Sequence, residues 1–184
     1  NHGYWSASCE IPSRRTRDPG RVLGRFGSID PSQGGNTDRN NLNLVYNYTD
    51  ERQSFNVQAW GFFYNLTQYN NFTFFENDPI NGDEIEQRDK RGAGGSYLNY
   101  RRNYNAWTMP METLVGFSSR TDIARVGLFN AVNRRRLSTQ QNSQINQTSL
   151  AWYAQQGFRP TNWFRAQVGT RLDEFYYSVR NLSP

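Results

Sequence analysis

In residues 71–95 the sequence reads NFTFFENDPINGDEIEQRDKRGAGG. An aromatic segment gives way to an Asp-Pro step, an Asn-Gly step and a dense block of charge, after which small residues resume. Pro79 cannot donate a hydrogen bond to a β-ladder and Asn81-Gly82 favours positive φ angles, so the chain turns here. The stretch predicts a long strand that ends near Phe75, a polar loop, and a further strand that begins at Arg91.

Alternating side chains predict strands on both sides of this loop. In the clearest one, which begins at Arg39, Leu42, Leu44 and Tyr46 alternate with asparagines. A strand over 54–75 would be much longer than the ~5–6 residues that are usual in a globular sheet. Helical periodicity is absent throughout. We therefore predict an all-β chain with about six antiparallel strands in up-and-down order.

The strands group into three hairpins separated by long polar segments. In chain order we predict an external loop over 1–38, a first hairpin over 39–75, an external loop over 76–90, a second hairpin over 91–121, an external loop over 122–148 and a third hairpin over 149–179. The turns inside the hairpins are short. Short turns at one end of a sheet and long loops at the other are typical of a transmembrane β-barrel wall, with short periplasmic turns and long external loops.

The composition restricts the class of protein. Only 35% of the 184 residues are apolar and the mean hydropathy is −0.90, yet 15% are aromatic, which is not typical of a disordered chain. The net charge is +5, but the arginines are scattered among Asp and Glu, so we expect no nucleic-acid partner. No apolar run approaches the ~20 residues of a membrane helix, which leaves a membrane barrel open because its strands carry no such run.

The sequence contains few residues suited to metal or catalytic chemistry. Cys9 is the single cysteine and His2 the single histidine, so neither a disulfide framework nor a multi-cysteine metal site is expected. The acidic residues of 76–90 do not follow an EF-hand pattern, since Pro79 falls at a ligand position. No pair of carboxylates is placed at a defined separation. We predict no metal, no cofactor and no enzymatic activity.

Three passages resemble bacterial TonB-dependent outer-membrane receptors. The first is a loop-to-strand passage and the second a strand followed by an external loop, while the third is a strand with a Gly-x-Arg-x-Asp pattern. The passages comprise Ile11–Arg14 with Arg25–Arg39, then Asn71–Phe75 with Asp78-Pro79, Gly82-Asp83 and Glu86–Arg91, then Trp163–Arg165 with Gly169–Asp173. Their order covers nearly the whole chain.

The resemblance implies a 22-stranded barrel with an N-terminal plug in the bacterial outer membrane. Such receptors import a scarce ligand, such as a ferric siderophore, with energy that the TonB protein transfers from the inner membrane. The implied partners are outer-membrane lipid, the protein's own plug domain, TonB and a small-molecule ligand. The sequence contains no plug, no TonB-box segment and no signal sequence, and it has too few strands to close a barrel. We therefore expect an internal fragment of the barrel wall.

The candidate binding residues lie in the predicted external loops. The run Arg134-Arg135-Arg136 would attract an anionic ligand or a lipopolysaccharide phosphate, and Asp83, Glu86 and Arg88 stand in the loop over 76–90. For the loop over 76–90 the alternative is a solvated tip whose charges meet opposite charges on neighbouring loops, and for the arginine run it is a solvated loop. The apolar side chains expected to face lipid are Leu42, Leu44, Val57, Val115, Phe117 and Val168.

A second hypothesis also remains open. A soluble antiparallel β-protein that binds carbohydrate through Tyr, Trp and Asn would have a similar composition. Strands longer than ~10 residues with an uncovered apolar face favour the barrel. Two sheets packed ~10 Å apart would favour the soluble protein.

Overall fold

The computed structural model describes residues 1–6 and 30–184, which form one antiparallel sheet of seven strands. In chain order the strands are β1 His2–Trp5, β2 Gly34–Thr49, β3 Gln53–Asn70, β4 Ile85–Ala106, β5 Met109–Val132, β6 Arg135–Thr161 and β7 Phe164–Asn181. Each strand pairs with the next one in the sequence. The prediction of an all-β, up-and-down antiparallel fold is confirmed. Within the described ranges, no helix is long and apolar enough to cross a membrane.

The strands are exceptionally long. β5 contains 24 residues and β6 contains 27, whereas strands in globular sheets usually have ~5–6. The described residues make a single sheet, so no second sheet packs against it in that part of the chain. The passages Ile11–Arg14 and Arg25–Ile29, which carry part of the family resemblance, lie outside the described residues.

The predicted external loop over 122–148 is wrong. These residues lie in β5 and β6, which pair along their lengths and are joined only by Asn133 and Arg134. Both joining residues have positive φ angles, 47° and 62°, as a two-residue type I′ hairpin requires. The polar composition was misleading because this hairpin carries polar side chains on both faces, so polarity does not mark a loop here.

The other predicted boundaries shift as well. β1 and the start of β2 lie inside the predicted loop over 1–38, and β4 begins inside the predicted loop over 76–90. β3 ends at Asn70, so the connection between β3 and β4 is 71–84. Phe74 has a φ of 62°, which shows that the aromatic segment after Asn70 turns instead of extending the strand.

The register divides the side chains into two faces. On what we call the apolar face, one row across β2 to β7 consists entirely of apolar residues. That row contains Tyr46, Val57, Leu98, Phe117, Trp152 and Leu172. The next row, on the opposite or polar face, contains Asn47, Asn56, Asn99, Gly116, Tyr153 and Arg171. All six side chains predicted to face lipid lie on the apolar face, because successive residues of a strand alternate between faces.

Five consecutive rows of the apolar face form what we call the apolar band. They are the rows that contain Asn40, Leu42, Leu44, Tyr46 and Tyr48. Glu174 is the one charged residue among these five rows, and Tyr176 donates a hydrogen bond of 2.8 Å to its carboxylate. On the polar face, the five rows that contain Asn41, Asn43, Val45, Asn47 and Thr49 alternate with those of the band. These rows of the polar face hold five charged residues, namely Arg101, Arg120, Asp122, Arg171 and Asp173.

Candidate functional site at the loop end of the sheet

Three connections meet at one end of the sheet, which we call the loop end. They are the segment 30–33 before β2, the segment 71–84 between β3 and β4, and the turn between β5 and β6. The side chain of Gln33 donates to the carbonyl of Asn71 at 2.9 Å, and the Asn71 side chain donates to Asp30 at 2.7 Å. These bonds join two connections that are about forty residues apart in the sequence.

Arg134 links the β5–β6 turn to the segment before β2. Its Nε donates to the carbonyl of Ser32 at 2.6 Å, and its two terminal nitrogens donate to the hydroxyl of Tyr4 and the carbonyl of Gln33, both at 3.3 Å. Its guanidinium also lies 5.5 Å from the ring centre of Tyr69. Because protein groups occupy this guanidinium on several sides, Arg134 serves to hold the connections together.

Glu84 is a buried carboxylate at the same place. It is 3% exposed and accepts hydrogen bonds from the backbone N–H of Arg134 at 3.1 and 3.3 Å. The Glu84 carbonyl accepts from the backbone N–H of Ala131 at 2.8 Å. Burial raises the pKa of Glu84, because removal from water disfavours the charged form. The residue fastens the 71–84 connection to the β5–β6 hairpin.

Arg136 and Glu86 form a two-pronged ion pair beside it. Nε of Arg136 lies 3.0 Å from Oε2 of Glu86, and Nη2 lies 2.7 Å from Oε1. Glu86 is 5% exposed, and the guanidinium of Arg136 stacks 3.3 Å from the ring centre of the buried Phe129. This parallel arrangement is the strong geometry for an arginine and a carboxylate. The pair joins β4 to β6 across β5.

Asp83 orders the connection over 71–84 from within. Its carboxylate accepts from the hydroxyl of Thr73 at 2.6 Å and from the backbone N–H groups of Asn77 and Asp78 at 3.0 and 2.8 Å. These hydrogen bonds, led by that from Thr73, lower the pKa of Asp83 to about 2, because they stabilise the ionised form. The acidic loop is thus organised by its own backbone.

The lowered pKa of Asp83 predicts an acid-sensitive loop. Because its folded-state pKa lies below the ordinary value of 3.8, the stabilisation is complete above that value and is lost as the pH falls through about 2. We expect the amides of Asn77 and Asp78 to stay protected from hydrogen exchange at pH 5 and to lose protection near pH 2. In Asp83→Asn that protection should already be reduced at pH 5.

The exposed Glu76 provides a matched control in the same loop. Glu76→Gln should leave the pH profile of amide protection unchanged. Equal protection of the two amides in wild type and Asp83→Asn at pH 5 would contradict this role for the carboxylate.

The structure separates the six candidate residues into two groups. Arg134, Arg136, Asp83 and Glu86 all make contacts that hold the loop end together. Arg135 and Arg88 are exposed, and no ion pair within the described ranges involves either of them. Only these two candidates present a charge that the described residues leave available to a ligand.

Sequence analysis missed Glu84, Gln33 and Tyr4. The spacing of the charges carried a signal, because Glu84 and Glu86 are two residues apart, as are Arg134 and Arg136. In the structure Glu86 pairs with the side chain of Arg136, whereas Glu84 accepts from the backbone N–H of Arg134. Among residues 1–6 and 30–184, no group of three or more His, Cys, Asp or Glu is placed to hold a metal ion.

The polar face carries a second set of charges. Arg120 pairs with Asp122 and its guanidinium lies 5.6 Å from the ring centre of Trp60. Arg171 pairs with Asp173 at 2.7 Å and lies 5.9 Å from the ring of Tyr153. Each pair joins residues two apart on one strand, so the charges are neutralised locally along the face.

Comparison with known proteins gives a match at the level of structure. No protein-family model matches the chain, and no curated protein matches it in sequence. The crystal structure of the ferric citrate transporter FecA in the unliganded form matches with a TM-score of 0.68 and 14% sequence identity. The match covers 86% of this chain and 24% of that one, so this chain spans about a quarter of the transporter's length. At this identity the likeness concerns the fold alone: the chain folds like a segment of barrel wall in FecA.

Proposed function

We propose that this chain is part of the barrel wall of a TonB-dependent receptor in the bacterial outer membrane, which takes up a scarce ligand such as a ferric siderophore. The observation that carries the proposal is the single up-and-down sheet of very long strands with one apolar face. The likeness to part of a ferric citrate transporter supports it at the level of fold. In this proposal the barrel wall works together with a plug domain and with TonB.

The height of the apolar band suits a bilayer. On the apolar face the band is bounded by a polar row containing Gln53 and Arg102 and by another containing Asn65 and Lys90. Gln53 and Asn65 are twelve residues apart (65 minus 53), which corresponds to about 40 Å along a strand. A strand tilt of about 40° brings the two polar rows to about 30 Å apart along the membrane normal, enough for an apolar band ~25 Å tall.

The soluble carbohydrate-binding alternative requires a cover for this band. In a soluble β-protein the apolar face packs against a second layer ~10 Å away. No segment among residues 1–6 and 30–184 supplies that layer, and Leu42, Leu44 and Leu172 are 60–64% exposed. Lipid as the covering medium accounts for the exposure without a further protein layer.

The proposed mechanism assigns a role to each part of the chain. The loop end faces outward and the polar face lines the lumen, where the plug packs. The ligand binds at the external loops, with Arg135 as the available cation for an anionic chelate, because Arg88 lies on the apolar face, away from the lumen. Arg134, Arg136 and Glu84 keep the loops in position, and rearrangement of the plug then admits the ligand. The wall itself carries out no bond-making step.

Fractionation and uptake of the full-length gene product test this function. We expect the protein in the detergent-extracted outer membrane, and we expect cells lacking it to lose TonB-dependent uptake of one ferric chelate among a panel. An inactive TonB should abolish the same uptake. Recovery of the full-length protein in the soluble fraction would refute the proposal, as would uptake that is unchanged in the deletion strain for every chelate tested.

A further inference from the structure

A groove crosses the apolar face between β3, β4 and β5. Its volume is about 790 Å³, within the range of ~300–1,000 Å³ typical of small-molecule sites. Gly61, Gly92 and Gly94 lie along its floor, and the side chains of Phe63 and Ile123 form its walls. Phe63 is 71% exposed and Ile123 is 53% exposed. The groove is therefore an open apolar channel on the apolar face, within the rows of the apolar band.

The glycine floor leaves real space at one position. A Cβ on Gly61 would meet its nearest atom, the carbonyl oxygen of Ala93, at 3.6 Å, which is an ordinary contact. A Cβ on Gly92 would instead meet the ring of Phe63 at 3.3 Å, which is tighter. Close packing thus does not require glycine at position 61, and a larger side chain there would extend into the groove.

Two cations stand directly opposite each other at the loop-end side of the groove. Lys90 on β4 and Arg125 on β5 are register partners, both are exposed, and both line the groove. Arg88 lies on the same face one row farther out. Within the described ranges no ion pair involves any of the three, although Nε of Arg125 donates to Asn142 at 3.3 Å. Like charges at opposite positions of a sheet destabilise it, so an anion bound between Lys90 and Arg125 would offset their repulsion.

We propose that this groove binds a membrane lipid with a phosphate headgroup. Its acyl chain lies along the glycine floor between Phe63 and Ile123, and its phosphate lies between Lys90 and Arg125. Apolar chain and anionic head are thereby matched by an apolar channel with cations at one end. The inference rests on the proposed function, because the groove faces lipid only if the apolar face is the outside of a barrel.

Native mass spectrometry of the delipidated full-length protein in detergent tests the site with three probes. They are dioleoyl phosphatidic acid, dioleoylglycerol and inorganic phosphate, which supply head and chains, chains alone and head alone. The double variant Lys90→Gln/Arg125→Gln should bind phosphatidic acid roughly twenty-fivefold more weakly, since each basic residue contributes about fivefold at an anionic surface. Its affinity for dioleoylglycerol should not change.

The variant Gly61→Leu tests the channel separately. It should weaken the binding of both lipids by about tenfold, which corresponds to the loss of a contact worth about 1.4 kcal/mol. The binding of inorganic phosphate should not change. Arg102→Gln, which removes a cation from the same face at the opposite end of the band, serves as the control and should bind phosphatidic acid like wild type.

Two results would overturn the lipid site. One is phosphatidic acid affinity that is unchanged in the double variant, and the other is lipid affinity that is unchanged in Gly61→Leu. If either result is obtained with protein that resides in the outer membrane and still supports chelate uptake, the proposed lipid site is refuted and the proposed function stands. Protein found outside the membrane fraction overturns the lipid site and the proposed function together.

Discussion

Replacement of Arg136 by alanine is expected to lower the free energy of unfolding by about 2–3 kcal/mol. Removing one partner of a fully buried ion pair costs ~3–5 kcal/mol, because the other charge is left without compensation. Glu86 is buried, but the Arg136 side chain is 37% exposed, so water reduces the penalty. The substitution also removes the guanidinium that stacks on Phe129.

Three further variants separate the causes of this loss. Arg136→Lys keeps the charge but loses the two-pronged geometry and the stacking, so its stability should be intermediate. Glu86→Gln combined with Arg136→Ala should be more stable than Arg136→Ala alone, because no unpaired charge then remains. Arg135→Ala is the matched control in the same arginine run and should stay within ~0.5 kcal/mol of wild type.

Urea unfolding of the refolded full-length protein in lipid vesicles measures these differences. Where unfolding is irreversible, cleavage of the 71–84 connection by protease on intact cells gives a second measure. Arg136→Ala should be cleaved faster than Arg135→Ala. Equal stability and equal cleavage rates of these two variants would show that the pair does not hold the loop end.

The strands were predictable wherever one face is apolar. The alternation of Leu42, Leu44 and Tyr46 with asparagines identified β2, and the side chains assigned to the lipid face do share a face. The pattern failed where a hairpin extends past the apolar band. Beyond Ile123 the apolar side chains of β5, such as Ala124, Val126 and Leu128, lie on the face opposite the band, and β6 before Asn146 is largely polar on both faces. The alternation that marks the band therefore did not continue along this hairpin.

The turn at the loop end was hidden for a related reason. Arg134 adopts a positive φ that glycine or asparagine usually supplies, and the turn therefore lacked its ordinary sequence signal. The hydrogen bonds of Arg134 to Ser32 and Gln33 hold it there, and these partners lie about one hundred residues away in the sequence. A contact of that separation leaves no local pattern, which is why sequence analysis assigned Arg134 to a ligand.

Ala59→Arg is expected to reduce strongly the amount of barrel that folds into the membrane. Ala59 lies in the middle row of the apolar band, opposite Leu44 and Ser96, and is exposed. Arginine at the bilayer midplane on the lipid face costs ~2–4 kcal/mol, and the cost falls to ~0–1 kcal/mol near the interface. Because Ala59 is small and exposed, the substitution disturbs no packing inside the protein.

Two control variants distinguish the effect of the face that carries the arginine from the effect of its depth in the bilayer. Gln58→Arg places the same charge one residue away on the polar face, and Asn40→Arg places it on the apolar face in the band's outermost row. Both should reach the outer membrane at close to the wild-type level. Ala59→Arg should be strongly depleted there and should lack the heat-modifiable gel mobility of a folded barrel.

The pattern of the three variants decides which face contacts lipid. Depletion of Ala59→Arg alone agrees with lipid against the apolar face, because face and depth are then both required for the defect. Depletion of Gln58→Arg with normal Ala59→Arg would reverse the two faces and remove the basis of the lipid groove. Normal levels of all three would mean that no bilayer covers the band, and the long exposed strands would then need a protein layer against them.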